Sequence, residues 1–220
     1  MRYTVIDMEK YPRRTHFNYF RSLAYPYMGT TVMVDVTEFA EACKEKRLSF
    51  FLAFMHIAAL AADGVEELRC RIKDDGIVCY ESCLTSHVEA LANGTYCYCT
   101  LRHDMDWSDY FDYAERCRRV CRSEGSIEED EDVNNYYFIS TLPWFSYTAL
   151  IQPVACADES NPRITWGKYE TDVKRRLKMP LAVLLHHALA DGIHIAQFYA
   201  NVDSEIKKAV VSIKALSCKP

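Results

Sequence analysis

The sequence comprises 220 residues, of which 50% are hydrophobic and 26% charged, with only seven glycines and seven prolines. This balance is typical of a globular protein with a substantial core and excludes a disordered or low-complexity chain. The net charge of −5 argues against nucleic acid as the main partner, and no stretch has the pattern of a membrane span or a signal peptide. We therefore expect a single domain over residues 1–220 that works in the cytoplasm.

The ten cysteines are the unusual feature of the composition. A chain of this length does not need a disulfide scaffold, and no CxxC motif occurs. We expect most of the cysteines to be buried or half-buried free thiols, with a metal or redox role much less favoured. They stand at positions 43, 70, 79, 83, 97, 99, 117, 121, 156 and 218.

In the first third of the chain, β-branched residues at 30–36 predict a strand, and Thr37 is the expected N-cap of a short helix after it. Ser49 opens a long helix that is apolar on nearly every side and ends near Gly64, which indicates that it is buried against a sheet. The Asp-Gly turn within 73–76 predicts a β-hairpin between two short strands.

Further along, residues 85–91 and 95–101 are expected to be strands, and Ser108 is the expected cap of an amphipathic helix. The acidic run at 128–132 is interpreted as a solvated loop. Four strand-like segments follow, at 136–141, 144–154, 163–169 and 180–187, and a helix from about Ile193 to Lys208 closes the series. The sequence thus predicts an α/β chain of the two-layer α+β kind, a mostly antiparallel mixed sheet with helices packed on one face.

The segment 179–194 carries the groups best suited to chemistry. His186 and His187 end a strand that is apolar enough to be buried on both faces, and they point to opposite sides of it. An imidazole is the side chain best matched to general-base catalysis at neutral pH, and Asp191 is placed to fix the following turn or hold a cation. Two alternatives remain: hydrogen-bonded core histidines, and, much less favoured, a metal site from His187, Asp191 and His194.

HHALADG at 186–192 fits the HHxxxDG pattern of the CoA-dependent acyltransferases. Together with RRTHF (13–17), EELRCRIKDDG (66–76), LPWFS (142–146) and ITWGKY (164–169), it resembles the type A chloramphenicol acetyltransferases in order and spacing. The resemblance implies that family's fold. It also implies acetyl-CoA as co-substrate without a permanently bound cofactor or metal, and chloramphenicol or a similar small hydroxyl compound as acceptor.

The resemblance also implies residue roles. His187 corresponds to the general base, which accepts the proton of the acceptor hydroxyl while that oxygen attacks the thioester. Asp191 corresponds to a structural carboxylate that pairs with an arginine matching Arg13. Thr165 matches a threonine that contacts the transition state through water.

The same resemblance extends to the two substrates and the assembly. Lys168 and Tyr169 stand where the family contacts CoA, and Tyr19, Phe20 and Met28 stand in the acceptor pocket. The family works as a homotrimer whose active sites lie between subunits, so we expect a homotrimer without nucleic-acid or membrane partners.

Two positions depart from the family. Ala149 replaces the serine that donates to the oxyanion, and in a regular strand neither Ser146 nor Thr148 would face the same side. The loss of such a donor typically lowers the rate by about 10²–10³. Phe20 replaces a tyrosine of the acceptor pocket. The sequence therefore leaves open an acyltransferase with another acceptor, or a weakly active member that binds a ligand or partner.

Overall fold

The computed structural model describes residues 2–125 and 133–216. The strands in these ranges are β1 (Tyr3–Val5), β2 (Tyr27–Asp35), β3 (Cys70–Lys73), β4 (Gly76–Tyr80), β5 (Leu84–Ala90), β6 (Tyr96–Leu101), β7 (Tyr136–Leu142), β8 (Arg163–Gly167), β9 (Glu170–Thr171) and β10 (Leu177–His186). The helices are α1 (Arg14–Arg21), α2 (Thr37–Glu45), α3 (Phe50–Asp63), α4 (Glu66–Arg69), α5 (Trp107–Glu124) and α6 (Gly192–Ala215). The acidic run at 128–132 and Cys218 lie outside the described residues.

A seven-stranded sheet forms the centre of the molecule, in the order β2-β10-β8-β7-β5-β6 with the short β9 paired to β10. The β5–β7 and β7–β8 pairs are parallel, and the remaining pairs are antiparallel. The predicted mostly antiparallel mixed sheet is confirmed. A second sheet of three strands, β1-β4-β3, contains the hairpin that the Asp-Gly turn predicted.

Helices α2, α3, α5 and α6 pack with one face of the large sheet. Alternate residues of β10, among them Leu181 and Val183, share one buried cluster with side chains of these helices. Ser49 caps α3 as predicted, because its side chain accepts a hydrogen bond from the Leu52 N–H. Nearly the whole of α3 is buried, which explains why its sequence is apolar all round.

A smaller apolar cluster lies between α1, the three-stranded sheet and the turn that follows β10. Phe17 from α1 packs there with Ile72 and Ile77 of the hairpin and with Ala188 and Leu189 of the turn. The cluster packs against the loop between β10 and α6 through Ala188 and Leu189. That loop carries the HHxxxDG motif.

The prediction of a strand at 144–154 is wrong. Pro143 and Pro153 provide no N–H for a strand ladder, and the chain between them crosses a face of the large sheet instead. The Tyr147 hydroxyl donates to the Thr165 carbonyl oxygen, and a Cβ at Gly167 would lie 2.8 Å from the Tyr147 ring. Tyr147 packs against the sheet, whereas Trp144, Phe145 and Ile151 are exposed, so the apolar residues of this segment do not mark a paired strand.

Three helix boundaries also differ from the prediction. Helix α2 begins at Thr37 itself, with Val36 rather than Thr37 in the capping position. Helix α5 begins at Trp107 with Asp106 in the capping position, which is two residues before the expected cap Ser108. Helix α6 extends to Ala215 because Ala209, Val210 and Ile213 continue the buried stripe beyond Lys208. Within the described ranges, no helix is both long enough and apolar enough to cross a membrane.

Candidate active site

The site is organised by the turn that joins β10 to α6. The β10 strand lies between β2 and β8 and ends at His186. The chain then turns tightly: the Leu189 and Ala190 N–H groups both donate to the His186 carbonyl oxygen, at 3.0 and 3.2 Å. The His187 N–H donates to the Pro26 carbonyl oxygen at 2.7 Å. A central strand and these bonds fix the position of the His187 backbone.

The ring of His187 has one nitrogen occupied and one available. Its Nδ1 lies 3.0 Å from the Ala190 carbonyl oxygen, which has no proton to donate, so Nδ1 carries the hydrogen. The same Nδ1 is 3.3 Å from a carboxylate oxygen of Asp191. In the neutral imidazole Nε2 is therefore the acceptor, which is the state that a general base requires. The side chain is 27% exposed, so the ring is reachable.

Phe20 covers a face of this imidazole. The two rings are stacked, with centroids 3.8 Å apart and an interplanar angle of 14°. Tyr19 packs edge-on against Phe20 at 5.2 Å and remains largely exposed. The structure thus brings two of the three expected acceptor-pocket residues next to the expected base. Phe20 limits rotation of the imidazole, an effect that needs only a flat ring.

Arg13 and Asp191 form the predicted ion pair. The Arg13 guanidinium donates to the Asp191 carboxylate at 2.7 Å and to the Leu189 carbonyl oxygen at 2.5 Å. It therefore holds the turn at two points on either side of Ala190, the residue that fixes the His187 tautomer. The pair acts on the base through the backbone of the turn.

A second support for Asp191 was not predicted from the sequence. The Asp191 N–H donates to Nδ1 of His194 at 2.8 Å, and Nε2 of His194 lies 3.3 Å from the Glu67 carboxylate. This arrangement closes the first turn of α6 as a capping box. The Asp-x-x-His spacing of Asp191 and His194 gave no hint of Glu67, which is 127 positions before His194 in the chain.

His186 points to the opposite side of β10 and is a structural residue. Its Nε2–H donates to the Ala157 carbonyl oxygen at 2.8 Å, and its Nδ1 accepts from the Ala188 N–H at 3.2 Å. Burial lowers the pKa of His186, and the remaining polar neighbours do not offset it. The core interpretation of the two histidines is thus correct for His186 only.

Thr165 and Ala149 lie at the face of the large sheet opposite to the helices, which we call the open face. The Thr165 hydroxyl donates to the Gln152 side-chain oxygen at 3.1 Å. Gln152, Ala149 and Thr148 line a cavity of about 400 Å³ together with residues of β2 and β10. Because this segment is not a strand, Thr148 and Ala149 reach the same cavity, contrary to the strand geometry expected from the sequence. Among the described residues that line this cavity there is neither Thr165, which adjoins it through Gln152, nor His187.

Lys168 and Tyr169 line a different cavity, of about 600 Å³, at the far end of β8. Its walls combine aromatic and charged side chains, among them Phe51, Trp166, Glu89, Arg118 and Arg122. Of these, only Lys168 and Tyr169 were singled out from the sequence. The arginines come from α5 and the carboxylate from β5, so only the tertiary fold shows that they meet.

Met28 stands apart from the other expected pocket residues. On β2 it is paired with Leu185 of β10 and packs against the core beneath the helices. Its role in an acceptor pocket therefore remains a prediction. Among the described residues, no group of three or more histidine, cysteine, aspartate or glutamate side chains is arranged to hold a metal ion.

The fold defines the class of protein. A solved chloramphenicol acetyltransferase superposes with a TM-score of 0.80 at 23% identity, covering 93% of this chain and all of that one. A probable dihydrolipoamide acetyltransferase from Listeria monocytogenes 4b F2365 superposes with a TM-score of 0.68 at 13% identity, covering 94% and 96% of the two chains. The architecture is therefore that of these acyltransferase cores, as the sequence motifs predicted.

The sequence comparison narrows this class. The profile of the family described as chloramphenicol acetyltransferase matches residues 1–203. A chloramphenicol acetyltransferase from Klebsiella sp is 32% identical over 206 residues, covering 89% of this chain and 90% of the relative. The protein belongs to the chloramphenicol acetyltransferase family, and the predicted resemblance is confirmed.

Proposed function

We propose that the protein is a chloramphenicol O-acetyltransferase that transfers the acetyl group of acetyl-CoA to a hydroxyl of chloramphenicol. The observation that carries the proposal is the state of His187: its Nδ1–H is donated to Ala190, and its Nε2 is left as a proton acceptor. Family membership supports the acceptor and the co-substrate. Acetylation of this kind would serve antibiotic resistance.

The proposed reaction is a direct transfer. Nε2 of His187 takes the hydroxyl proton of the acceptor while the hydroxyl oxygen forms a bond to the thioester carbonyl carbon. The tetrahedral intermediate then collapses, the carbon–sulfur bond breaks, and the imidazolium returns the proton to the CoA sulfur. No acyl-enzyme forms, so no cysteine of the protein is needed as a nucleophile. Arg13 and Asp191 hold the base, and Thr165 contacts the transition state through a water.

The CoA end of the site is proposed to be the cavity that contains Lys168 and Tyr169. Its aromatic walls suit an adenine ring, and Lys168, Arg118 and Arg122 suit the phosphates. Glu89 neutralises part of this positive charge. The acidic chain therefore has a local cationic surface, which is what an anionic co-substrate requires.

A homotrimer with shared sites is proposed as the working form, in the cytoplasm and as one domain over residues 1–220. The segment that crosses the open sheet face exposes large apolar side chains, with Trp144 75% and Ile151 92% exposed. Apolar surface of this kind is typical of a face that is covered in an assembly. A neighbouring subunit seated there would bring its own His187 to the cavity beside Thr165.

A second candidate is an acyltransferase of the same fold with another acceptor. Ala149 at the cavity and Phe20 on the base are the observations that favour it, because both remove a polar contact from the site. A weakly active member that binds a ligand or partner is the third candidate.

The test is a thiol-release assay with acetyl-CoA and chloramphenicol, followed by identification of the acetylated product. We expect chloramphenicol-dependent release of CoA, and a loss of about 10²–10⁴-fold in kcat for His187→Ala. His186→Asn is the matched control and should keep most of the activity if the protein folds. Release with a different hydroxyl compound but not with chloramphenicol would favour the second candidate. Full activity of His187→Ala would exclude His187 as the base.

A further inference from the structure

The hairpin β3–β4 places two cysteines that the transfer reaction does not use directly opposite each other. Cys70 on β3 is the register partner of Cys79 on β4. Opposed residues of antiparallel strands have Cα atoms about 4.5–5.5 Å apart, within the range of about 4.4–6.8 Å that a disulfide bridges.

The backbone hydrogen bonds show which kind of pair this is. Two residues along, the Ile72 N–H donates to the Ser160 hydroxyl at 2.9 Å, and the Ile77 carbonyl oxygen accepts from the Ile6 N–H at 2.9 Å. These groups point away from the partner strand, so Ile72 and Ile77 form a non-hydrogen-bonded pair. Pair types alternate every residue, so the cysteine pair is of the same type, in which side chains approach most closely.

The two thiols converge on one point. Both lie against the carbonyl oxygen of Glu66, with Cys70 Sγ at 3.4 Å and Cys79 Sγ at 3.7 Å. The side chains of Cys70 and Cys79 are also close enough to interact with each other. Both sulfurs therefore lie on the same side of the hairpin, and a disulfide would need little movement of the backbone.

The surroundings make the two sulfurs unequal. The interaction with the Cys70 side chain, together with the positive charges of Arg69 and Arg71, lowers the pKa of Cys79 although burial opposes it. Cys70 is buried and Cys79 is partly exposed. A reachable sulfur that favours the thiolate, next to a buried thiol, is the arrangement of an attacking and a resolving cysteine.

The pair is also next to the catalytic turn. Cys70 belongs to the apolar cluster that contains Ala188 and Leu189, and Cys79 packs against the same cluster. Leu189 is the residue whose carbonyl oxygen Arg13 holds. A disulfide formed here would therefore act on the cluster that packs against the turn carrying His187.

We propose that Cys70 and Cys79 are a redox modification site, which a hydroperoxide converts into a reversible disulfide that alters the catalytic turn. The hydroperoxide oxidises the Cys79 thiolate to a sulfenic acid and is itself reduced to water or an alcohol. The Cys70 sulfur then attacks the sulfenic sulfur, a disulfide forms, and the sulfenic hydroxyl leaves as water with the Cys70 thiol proton. A dithiol reductant reverses the reaction. The proposal gives Cys70 and Cys79 a redox role, although the sequence analysis did not favour such a role for the cysteines.

A second cysteine pair provides an internal comparison. The Cys97 and Cys121 sulfurs are 2.7 Å apart, so these two side chains are in direct contact. Burial raises the pKa of Cys121, and Cys97 is fully buried. Proximity alone would therefore favour this pair, whereas thiolate character and access favour Cys70 and Cys79.

The test is hydrogen peroxide treatment of the full-length protein, with peptide mapping by mass spectrometry before and after dithiothreitol. We expect a peptide linked through Cys70 and Cys79 to appear first, and dithiothreitol to remove it. The oxidised protein should show at least about a twofold lower kcat, restored by the reductant. Cys79→Ser should abolish both effects, and Cys121→Ser is the matched control that should keep both.

Each other outcome decides against the proposal. Oxidation confined to the exposed Cys156, or a link through Cys97 and Cys121 alone, would overturn the assignment of the site. A Cys70–Cys79 disulfide with unchanged kcat would overturn its effect on the turn. Only the kcat measurement rests on the proposed function. If the protein does not acetylate chloramphenicol, the mapping still tests the disulfide.

Discussion

At the scale of single residues, the base depends on its neighbours for orientation rather than for a polar contact on the ring face. The Ala190 carbonyl oxygen selects the tautomer of His187, and Phe20 packs flat against the ring. A tyrosine at position 20 would supply the same flat surface. The departure at Phe20 therefore leaves the orientation of the base intact, and any effect of it is expected on the acceptor.

The departure at Ala149 has a candidate compensation in Thr148, which reaches the same cavity. We expect Thr148→Val to lower kcat by about 10²-fold with little change in KM, because a donor to the oxyanion acts on the transition state. Adding Ala149→Ser to Thr148→Val should restore most of the loss. Steady-state kinetics at saturating acetyl-CoA measures both effects. An unchanged kcat in Thr148→Val would assign the donor elsewhere.

Arg122 tests the proposed CoA end of the site. Its guanidinium is half exposed at the 600 Å³ cavity, whereas Arg119 on the same helix is exposed and does not line it. We expect Arg122→Gln to raise the KM for acetyl-CoA by about tenfold, because one charged contact to phosphate is lost, with kcat nearly unchanged. Arg119→Gln is the matched control. Equal effects of both variants would indicate a general loss of positive charge.

At the scale of elements, one cluster of charged side chains joins strand β5, which is next to the edge strand β6, to helix α5. Glu89 on β5 is nearly buried and is held by His87, Arg118 and Arg122. Burial alone would raise the pKa of Glu89, but the three hydrogen-bond partners outweigh it and lower the pKa to about 2.

This cluster predicts a dependence of stability on pH. The pKa of Glu89 in the folded protein lies below its ordinary 4.5, so its ionised form contributes stability that is full above about pH 4.5 and is lost as the pH falls toward 2. The contribution is at most about 3 kcal/mol. We expect Glu89→Gln to lower the free energy of unfolding at pH 7, with a deficit that shrinks below pH 4.5.

Urea unfolding at several pH values and one protein concentration measures this deficit. Glu115→Gln is the control, because Glu115 contacts the same Arg118 from an exposed position. A deficit that is independent of pH would show that the ionised carboxylate of Glu89 does not account for it.

Local signals explain which elements could be predicted. The Asp-Gly turn, the Ser49 cap and the all-apolar stretch of α3 act over a few residues, and the structure has each of them. The segment 144–154 is strand-like in composition, but Pro143 and Pro153 and the packing of Tyr147 against Gly167 decide its path. A strand-like composition does not report what the backbone pairs with.

The candidate site divides in the same way. His187 and Asp191 lie in one short motif and could be found from it, and Arg13 came from the family resemblance. The other contacts join positions far apart in the chain: His194 with Glu67, His186 with Ala157, and Arg118 with Glu89. No pattern within a short window contains such pairs, because the tertiary fold creates them.

At the scale of the whole molecule, the exposed apolar segment bears on assembly. Ile151 is 92% exposed beside the cavity that lacks His187, and Val173 is fully exposed on the distant turn between β9 and β10. We expect the protein to sediment as a trimer, and Ile151→Asp to dissociate it and abolish activity, because a charge would be buried in the interface. Analytical ultracentrifugation with Val173→Asp as control measures this. A monomeric, active wild-type protein would exclude the shared site.

The separation of His187 from the cavity beside Thr165 has a consequence for trimers assembled from two different variants of the chain. On the proposed arrangement, each reaction centre takes its base from one chain and its transition-state contacts from another. Chains lacking His187 and chains lacking Thr165 would then complement each other when mixed, since some interfaces combine the intact half of each. Two variants that are each inactive alone would together give active trimers. A single defective chain in a trimer would disable only the reaction centre to which it contributes the missing half.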